Sequence, residues 1–422
     1  MSERPPEPAM AIDPARGLRQ AGGGSVTDRV RREALLRVLR RLRRGTLDLT
    51  LPDGGGETIR GPAPGPRAAL SISSLPVLDR YLWHGSVGFA ESYMAGEWDT
   101  PHLAELLELL DRNGDAWGRG YFGPALTRFM ARTRHRLRRN SRAGSRRNIQ
   151  AHYDLGNDFF AAWLDPSMTY SAALFEAEEE RSGQVGLEAA QAAKYRHLCR
   201  MIDLRPGQRL LEIGSGWGGF ARIAATEFGA RVMSITISPA QHALASARIA
   251  TAGLNDRVEI RLQDYRDVEG RFDRIASIEM LEAVGEAYWP VFFEKLRSAL
   301  VPGGRAGLQV ITIADRHFES YRRGSDFIQQ YVLPGGMLPS TAALAEETQK
   351  AGFEITEKLA FGGDYARTLA LWAERFEAAW DDIREQGFDE RFRRLWRYYL
   401  AYCEAGFRSG STDVVQLGLR RD

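Results

Sequence analysis

Cysteine is nearly absent from this chain: the two present, Cys199 and Cys403, stand far apart in sequence and form neither a disulfide framework nor a CxxC metal pattern. Two structural thiols in a reducing cytoplasm is the reading that follows, with no metal. No stretch stays apolar for the roughly 18 residues that a membrane-crossing helix needs. The opening residues Met1-Ser-Glu-Arg-Pro-Pro-Glu-Pro8 put acids and prolines where a secretory signal carries its apolar core. The expectation is a cytoplasmic protein, soluble or peripheral to the inner face of a membrane. Net charge is missing too, since 57 Lys+Arg against 55 Asp+Glu leave only +2. Its distribution is uneven, with arginines gathered before residue 150 and most acids after it.

At 422 residues the chain is too long for one ordinary core, so a division into domains is expected. Residues 1–25 are rich in Pro, Gly and Ala and read as disordered. Asp28 is placed to cap a helix whose apolar line is Val30, Ala34/Leu35, Val38/Leu39 and Leu42. Its polar face carries Arg29, Arg31, Arg32, Arg37, Arg40, Arg41, Arg43 and Arg44. A solvated surface helix and a helix facing anionic phospholipid are both compatible with it. Residues 54–66 read as a loop, 68–75 as a strand, and 76–83, 87–96 and 103–110 as helical pieces, giving a small mixed domain over 26–127. Residues 128–147 hold nine arginines and no acid, a basic linker. The interleaved aromatics of a single-strand binder are missing there, so an anionic lipid surface is preferred to nucleic acid.

From residue 148 to 422 strands and helices alternate. Strands are expected at 209–213, 231–235, 258–262, 272–278, 305–311, 354–361 and 412–420, with helices at 188–202, 220–228, 239–252, 288–300 and 341–351. Alternation implies an α/β, Rossmann-like domain of seven strands, mainly parallel, whose ligand lies beyond the carboxyl ends of the strands. Those ends collect Glu212, Gly214 and Gly216, then Thr236 and Ser238, then Gln263-Asp264-Tyr265, then Glu279 and Glu282. The glycine-dense turn Gly214–Gly219 is followed by no P-loop lysine, and no ribose-binding acid ends the 231–235 strand. A nucleoside without phosphates is the better guess, with Asp264 as acceptor for an exocyclic amine and Tyr265 as a stacking face.

The order Glu212-x-Gly214-x-Gly216-x-Gly218, Thr236-x-Ser238-x-x-Gln241, Gln263-Asp264-Tyr265 resembles the S-adenosylmethionine site of class I methyltransferases. Added motifs narrow the resemblance: 151–160 (AHYDLGNDFF), 168–171 (MTYS), 279–285 (EMLEAVG), 334–340 (PGGMLPS) and 364–372 (DYARTLALW) are similar to the cyclopropane fatty acid synthase family and its mycolic acid relatives. The resemblance covers about residues 148–422, with a family-like 88–98 segment before it. It implies S-adenosylmethionine as cofactor and the double bond of an unsaturated phospholipid acyl chain as substrate. It also implies a homodimer and, in many members, a bicarbonate base. Carried over residue by residue, Tyr153, Tyr170 and Ser171 line the cofactor mouth. Glu212, Gly214, Gly216, Thr236, Ser238, Gln241, Gln263, Asp264 and Tyr265 hold the cofactor.

The bicarbonate cage corresponds to Ala172, Glu282, Gln309, Ile311 and Tyr365. Here the family's cysteine is Ala172, its histidine is Gln309, and the histidine after the glutamate is Ala283. Gln309 is uncharged and cannot assist as an imidazolium would. Either bicarbonate still binds and a cyclopropane forms, or the proton leaves elsewhere and the product is methyl- or methylene-branched. The run from Gln309 to Asp315, with Phe318 and residues 326–329, resembles the branch that makes branched lipids. Of the two glutamates three apart, Glu282 is assigned the function and Glu279 a solvated place. A carbocation would also ask for aromatic faces; among Phe159, Phe160, Trp163, Tyr170, Tyr288, Trp289, Phe327, Tyr331 and Tyr365, only Tyr170 and Tyr365 are expected outside the core. A small-molecule methyltransferase and an RNA methyltransferase are the rival readings.

Overall fold

The computed structural model describes residues 26–117, 155–175 and 186–422. The 1–25 segment, the 128–147 linker and Tyr153 lie outside the described residues.

The first part packs helices against a four-stranded sheet. In chain order they are α1 (Val26–Leu39), β1 (Arg44–Thr50), β2 (Gly56–Arg60), β3 (Ala63–Ile72), α2 (Val77–His84), α3 (Ser86–Met94), β4 (Trp98–Asp99) and α4 (Leu103–Arg112), with sheet order β2-β1-β3-β4. The expected loop at 54–66 is instead β2 and the start of β3. Its glycines close the β1–β2 hairpin, and Pro64 and Pro66 fall where the β1–β3 register breaks between Arg44 and Thr46, so no ladder hydrogen bond is asked of them. Helix α1 already begins at Val26, which puts Asp28 inside the first turn, paired with Arg31, rather than at the cap. Leu35, Leu36, Leu39 and Leu42 are buried as the apolar line required, but Val30 points outward.

The second part contains α5 (Asn157–Trp163), α6 (Leu187–Met201), β5 (Arg209–Ile213), α7 (Gly219–Thr226), β6 (Arg231–Thr236), α8 (Pro239–Thr251), β7 (Val258–Leu262), β8 (Phe272–Ile278), β9 (Leu300–Ile313), β10 (Phe353–Ala360), α9 (Gly362–Ala378), α10 (Glu390–Ser409) and β11 (Thr412–Arg421). The seven strands lie in order β10-β11-β9-β8-β5-β6-β7, and β11 alone is reversed. Helices cover both faces of the central strands, so both sides of β5 are enclosed: Leu210, Leu211, Glu212 and Ile213 are all buried. Strand β5 pairs with β6 on one side and β8 on the other, so the chain direction of winding reverses at its carboxyl end. That is where an open α/β sheet leaves a crevice.

The two parts share one hydrophobic core. Leu47, Leu70, Tyr93, Trp98 and Leu106 from the first part pack in the same cluster as Phe327, Val332, Tyr398, Ala401 and Ala405 from the second. Polar ties reinforce it: Arg394 of α10 donates to the Tyr93 and Trp98 carbonyls, and the Tyr331 hydroxyl donates to Glu91 at 2.5 Å.

Candidate active site

The glycine corner sits at the β5 exit. Gly214 takes φ +98°, and a Cβ there would come within 2.5 Å of the Met280 Cγ, so no other residue fits both the turn and its neighbour. Gly218, at φ +85°, starts α7 in a left-handed conformation. Glu212 ends β5 buried, accepting from Ser234 Oγ at 2.5 Å, and burial pushes its pKa up to about 8. Thr236 donates to Gln241 Oε1 at 2.8 Å, which fixes both side chains at the β6 exit. Ser238 does not line the cavity: its Oγ accepts from the Gln241 N–H and caps α8, with Pro239 as first helical residue.

Gln263 donates to the Asp267 carbonyl, and Asp264 accepts from Arg266 at 2.6 and 2.8 Å while capping the turn Tyr265–Asp267. The acceptor expected at Asp264 is thus neutralised by Arg266, although a carboxylate retains further lone pairs for a ligand amine. The Tyr265 ring stands on Phe292 and lines the cavity. Gly214, Gly216, Thr236, Gln241, Gln263, Asp264, Tyr265, Tyr170, Ser171 and Glu212 surround one cavity. Its only basic side chain among the described residues, Arg266, is already paired, which suits a nucleoside without phosphates. These residues therefore fit S-adenosylmethionine.

The two glutamates are both enclosed, and the solvated place given to Glu279 is corrected. Glu279 follows β8 with φ +51°, a left-handed conformation that costs a side-chain-bearing residue about 1–3 kcal/mol. Three donors hold it there: the Ala172 N–H, Gln309 Nε2 and the Tyr365 hydroxyl, each at 2.8 Å. Burial raises its pKa, opposed by Lys194 and by these hydrogen bonds. Glu282 takes one donor, the Ile311 N–H at 2.5 Å, while its Oε2 is buried without a partner; burial and the nearby Glu279 push it up to about 8. So the five residues grouped from the sequence divide. Ala172, Gln309 and Tyr365 converge on Glu279, and Ile311 alone serves Glu282. Ala172 and Gln309 stand behind Glu279 rather than facing the cavity.

Lys194 was not singled out from the sequence. It is fully buried on α6, donates from Nζ to Ser171 Oγ at 2.6 Å, and lies 4.3 Å from the centre of the Tyr195 ring. Burial pushes it down to about 7, with Glu279 and Asp165 pulling the other way. A cation at this depth is stabilised by the carboxylates it faces.

A second, much larger cavity of about 1350 Å³ lies on the far side of Glu279. That exceeds the roughly 300–1,000 Å³ of ordinary small-molecule pockets. Its walls include Tyr170, Ile311, Tyr365, Leu369 and Phe407 from the second part and Leu35, Leu39, Leu70, Leu78 and Leu107 from the first. Of the aromatics considered, Phe159, Phe160, Trp163, Trp289 and Phe327 are core, whereas Tyr170 and Tyr365 face the cavity; Tyr170 is held by Tyr399 at 2.7 Å between hydroxyls. The two cavities meet at Tyr170, Glu279, Met280 and Ala283.

The family model described as mycolic acid cyclopropane synthetase matches residues 140–417. Tuberculostearic acid methyltransferase UfaA1 of Mycobacterium tuberculosis is 39% identical over 430 residues, covering 98% of this chain and 95% of that protein. The cyclopropane-fatty-acyl-phospholipid synthase of Escherichia coli is 34% identical over 366 residues, 87% of this chain and 90% of that one. Among solved structures, the cyclopropane synthase MmaA2 from Mycobacterium tuberculosis superposes with TM-score 0.61 at 32% identity, covering 65% of this chain and 98% of that chain. The mycolic acid cyclopropane synthase CmaA1 complexed with SAH and CTAB superposes with TM-score 0.60 at 30% identity and the same coverage.

Proposed function

We propose, from the premise that this chain belongs to the mycolic acid cyclopropane synthetase family, that it methylates carbon at the double bond of unsaturated acyl chains in membrane phospholipids, at the inner face of the membrane. The observation that carries this reading is the meeting of a nucleoside-shaped site and a large, mostly hydrocarbon-lined cavity at one buried carboxylate, Glu279. Glu212, Gly214, Gly216, Thr236, Gln241, Gln263, Asp264 and Tyr265 would hold S-adenosylmethionine, with Tyr170 and Ser171 at its mouth. That cofactor supplies an electrophilic methyl group from a sulfonium. A neutral alkene that gains a methyl group is left with a positive charge on the neighbouring carbon. The rings of Tyr170 and Tyr365 offer π faces for that charge, and Glu279 offers the carboxylate that takes the proton.

Bicarbonate does not fit the same place. Three of the five groups expected to hold it, the Ala172 N–H, Gln309 and Tyr365, are engaged by Glu279, and the other two, Ile311 and Glu282, are bonded to each other, so a carboxylate built into the chain takes the donors the anion would need. The product then depends on how the charge is discharged. Ring closure joins the new methyl carbon to the cationic carbon as a methyl proton leaves. A hydride shift from the methylated carbon before that loss moves the charge to that carbon, and loss of a methyl proton then gives a methylene branch on the open chain instead. We favour the branched outcome, supported by the departures at Ala172 and Gln309 and by a full-length relative named as a methyltransferase rather than a cyclopropane synthase. Mass spectrometry and proton NMR of lipids from expressing cells test it: vinylidene signals are expected, or branched-methyl signals where a cellular reductase adds hydride and a proton to that alkene, and a purely cyclopropane product refutes it.

A further inference from the structure

Helix α2 meets two surroundings along its length. Val77, Leu78 and Tyr81 line the large cavity that ends at Glu279. Leu82, one turn beyond Leu78, is 47% exposed, and Trp83 beside it is 62% exposed. Only six large hydrophobic side chains are exposed among the described residues, and a third member of this set, Val30 on α1, is 63% exposed. The two helices are tied together by Arg31 and Asp79 at 2.5 Å. Half of the exposed large apolar groups therefore belong to two linked helices that wall the cavity.

The charge around them has one dominant sign. Between residues 26 and 44 the chain has eight arginines against Asp28 and Glu33. Arg31, Arg32 and Arg40 are paired with Asp79, Asp53 and Glu57. Arg29, Arg37, Arg41, Arg43 and Arg44 show no acid partner among the described residues, and Arg44 stands at the rim of the cavity. An exposed indole and leucine on α2, joined through Arg31 and Asp79 to a segment in which arginines outnumber acids, match the boundary of an anionic bilayer, where an aromatic ring sits at headgroup depth and the cations meet phosphate.

We propose that the exposed end of α2, with the arginine-rich segment 29–44, docks on an anionic lipid bilayer, and that the acyl chain passes from the bilayer into the cavity beside α2. This rests on the reading that the substrate is a membrane phospholipid. It goes further in assigning the surface that touches the membrane and the doorway that the chain uses. The Tyr81 hydroxyl, buried on the cavity side of α2 without a hydrogen-bond partner, stands at that doorway, where an ester group could accept from it.

The test is the full-length double variant Leu82→Ser/Trp83→Ser beside the wild type. Each is sedimented with dioleoyl phosphatidylglycerol/phosphatidylcholine vesicles and assayed for methyl transfer on those vesicles and on the same lipid in detergent micelles. The expected result is a tenfold or greater loss of vesicle binding and vesicle turnover. Micelle turnover and S-adenosylmethionine affinity, read by calorimetry, should stay within twofold. Trp83→Phe should retain binding, and Arg37→Glu/Arg41→Glu should abolish the preference for anionic over neutral vesicles. Unchanged vesicle binding, or equal losses on vesicles and micelles, overturns the docking face. Wild-type protein that sediments with vesicles but alkylates neither lipid form overturns the substrate reading and leaves the docking face standing.

Discussion

Replacing Glu279 by glutamine removes the one carboxylate at the junction of the two cavities while keeping its size. An amide cannot take a proton, and loss of a positioned general base costs about 10²–10⁴ in rate, or roughly 3–5 kcal/mol of barrier. The surroundings add to this. Glu279 accepts from three donors, the Ala172 N–H, Gln309 Nε2 and the Tyr365 hydroxyl, whereas the NH₂ of an amide must face at least one of them donor to donor. Turnover of oleoyl phospholipid vesicles, followed as release of S-adenosylhomocysteine, should fall by at least about 100-fold with cofactor affinity retained. Glu282→Gln is the contrast: its single bond, from the Ile311 N–H, can be made to an amide oxygen, so turnover should stay within about tenfold. Glu279→Gly relieves the left-handed strain and frees all three donors, so added bicarbonate should restore part of the lost rate. Full activity in Glu279→Gln, with collapse in Glu282→Gln, would refute this assignment of the base.

Further outcomes are expected. Tyr365→Phe keeps the ring against Phe407 but removes a hydrogen bond to a charged acceptor, worth about 1.5–3 kcal/mol; kcat should drop about 10–100-fold with little change in KM. Gly214→Ala must push Met280 aside from 2.5 Å, and calorimetry should read at least about a tenfold loss of S-adenosylmethionine affinity; unaltered affinity would contradict the corner's role. Glu212 and Glu282, both raised to about 8, hold protons in the fold that the unfolded chain releases near 4.5, so unfolding free energy should decrease from pH 5 to 7. Lys194, lowered to about 7, binds fewer protons folded than unfolded above that pH and so offsets the decline at higher pH. Urea denaturation at pH 5.5, 7 and 9 checks the sign, and a stability that climbs steadily from 5.5 to 7 would be incompatible with these buried carboxyls.

The seven strands were legible because a sheet covered on both faces makes its central strands rich in apolar residues and closes them by a turn, as with Leu210, Leu211 and Ile213 before Gly214. The glycine corner was legible for the same local reason. The role of Glu279 was not: two glutamates three apart look alike in sequence, and the left-handed backbone that turns Glu279 toward Ala172, Gln309 and Tyr365 is set by tertiary packing. Lys194 left a usable signal. It falls on the apolar stripe of α6 with Ala190 and Leu198, where a lysine is out of place unless a partner awaits it. The β2 hairpin was obscured by glycine and proline, residues that mark turns more often than strands. Asp264 could be placed but not its pairing with Arg266, which is decided by the turn that Asp264 itself caps.

The shared core joining the two parts also bears on how this chain could have diverged from relatives whose solved structures align with only 65% of it. Tyr398, Ala401 and Ala405 of α10, with Phe327 and Val332, are buried in the same cluster as the first sheet. A protein that dispensed with that sheet would have to repaint this face with polar side chains and rebuild the cavity walls now formed by Leu35, Leu70, Leu78 and Leu107. The N-terminal part is therefore not detachable cargo. In this chain the two parts are coupled, and trimming it to its methyltransferase half would expose that apolar face and leave the substrate chamber open-sided.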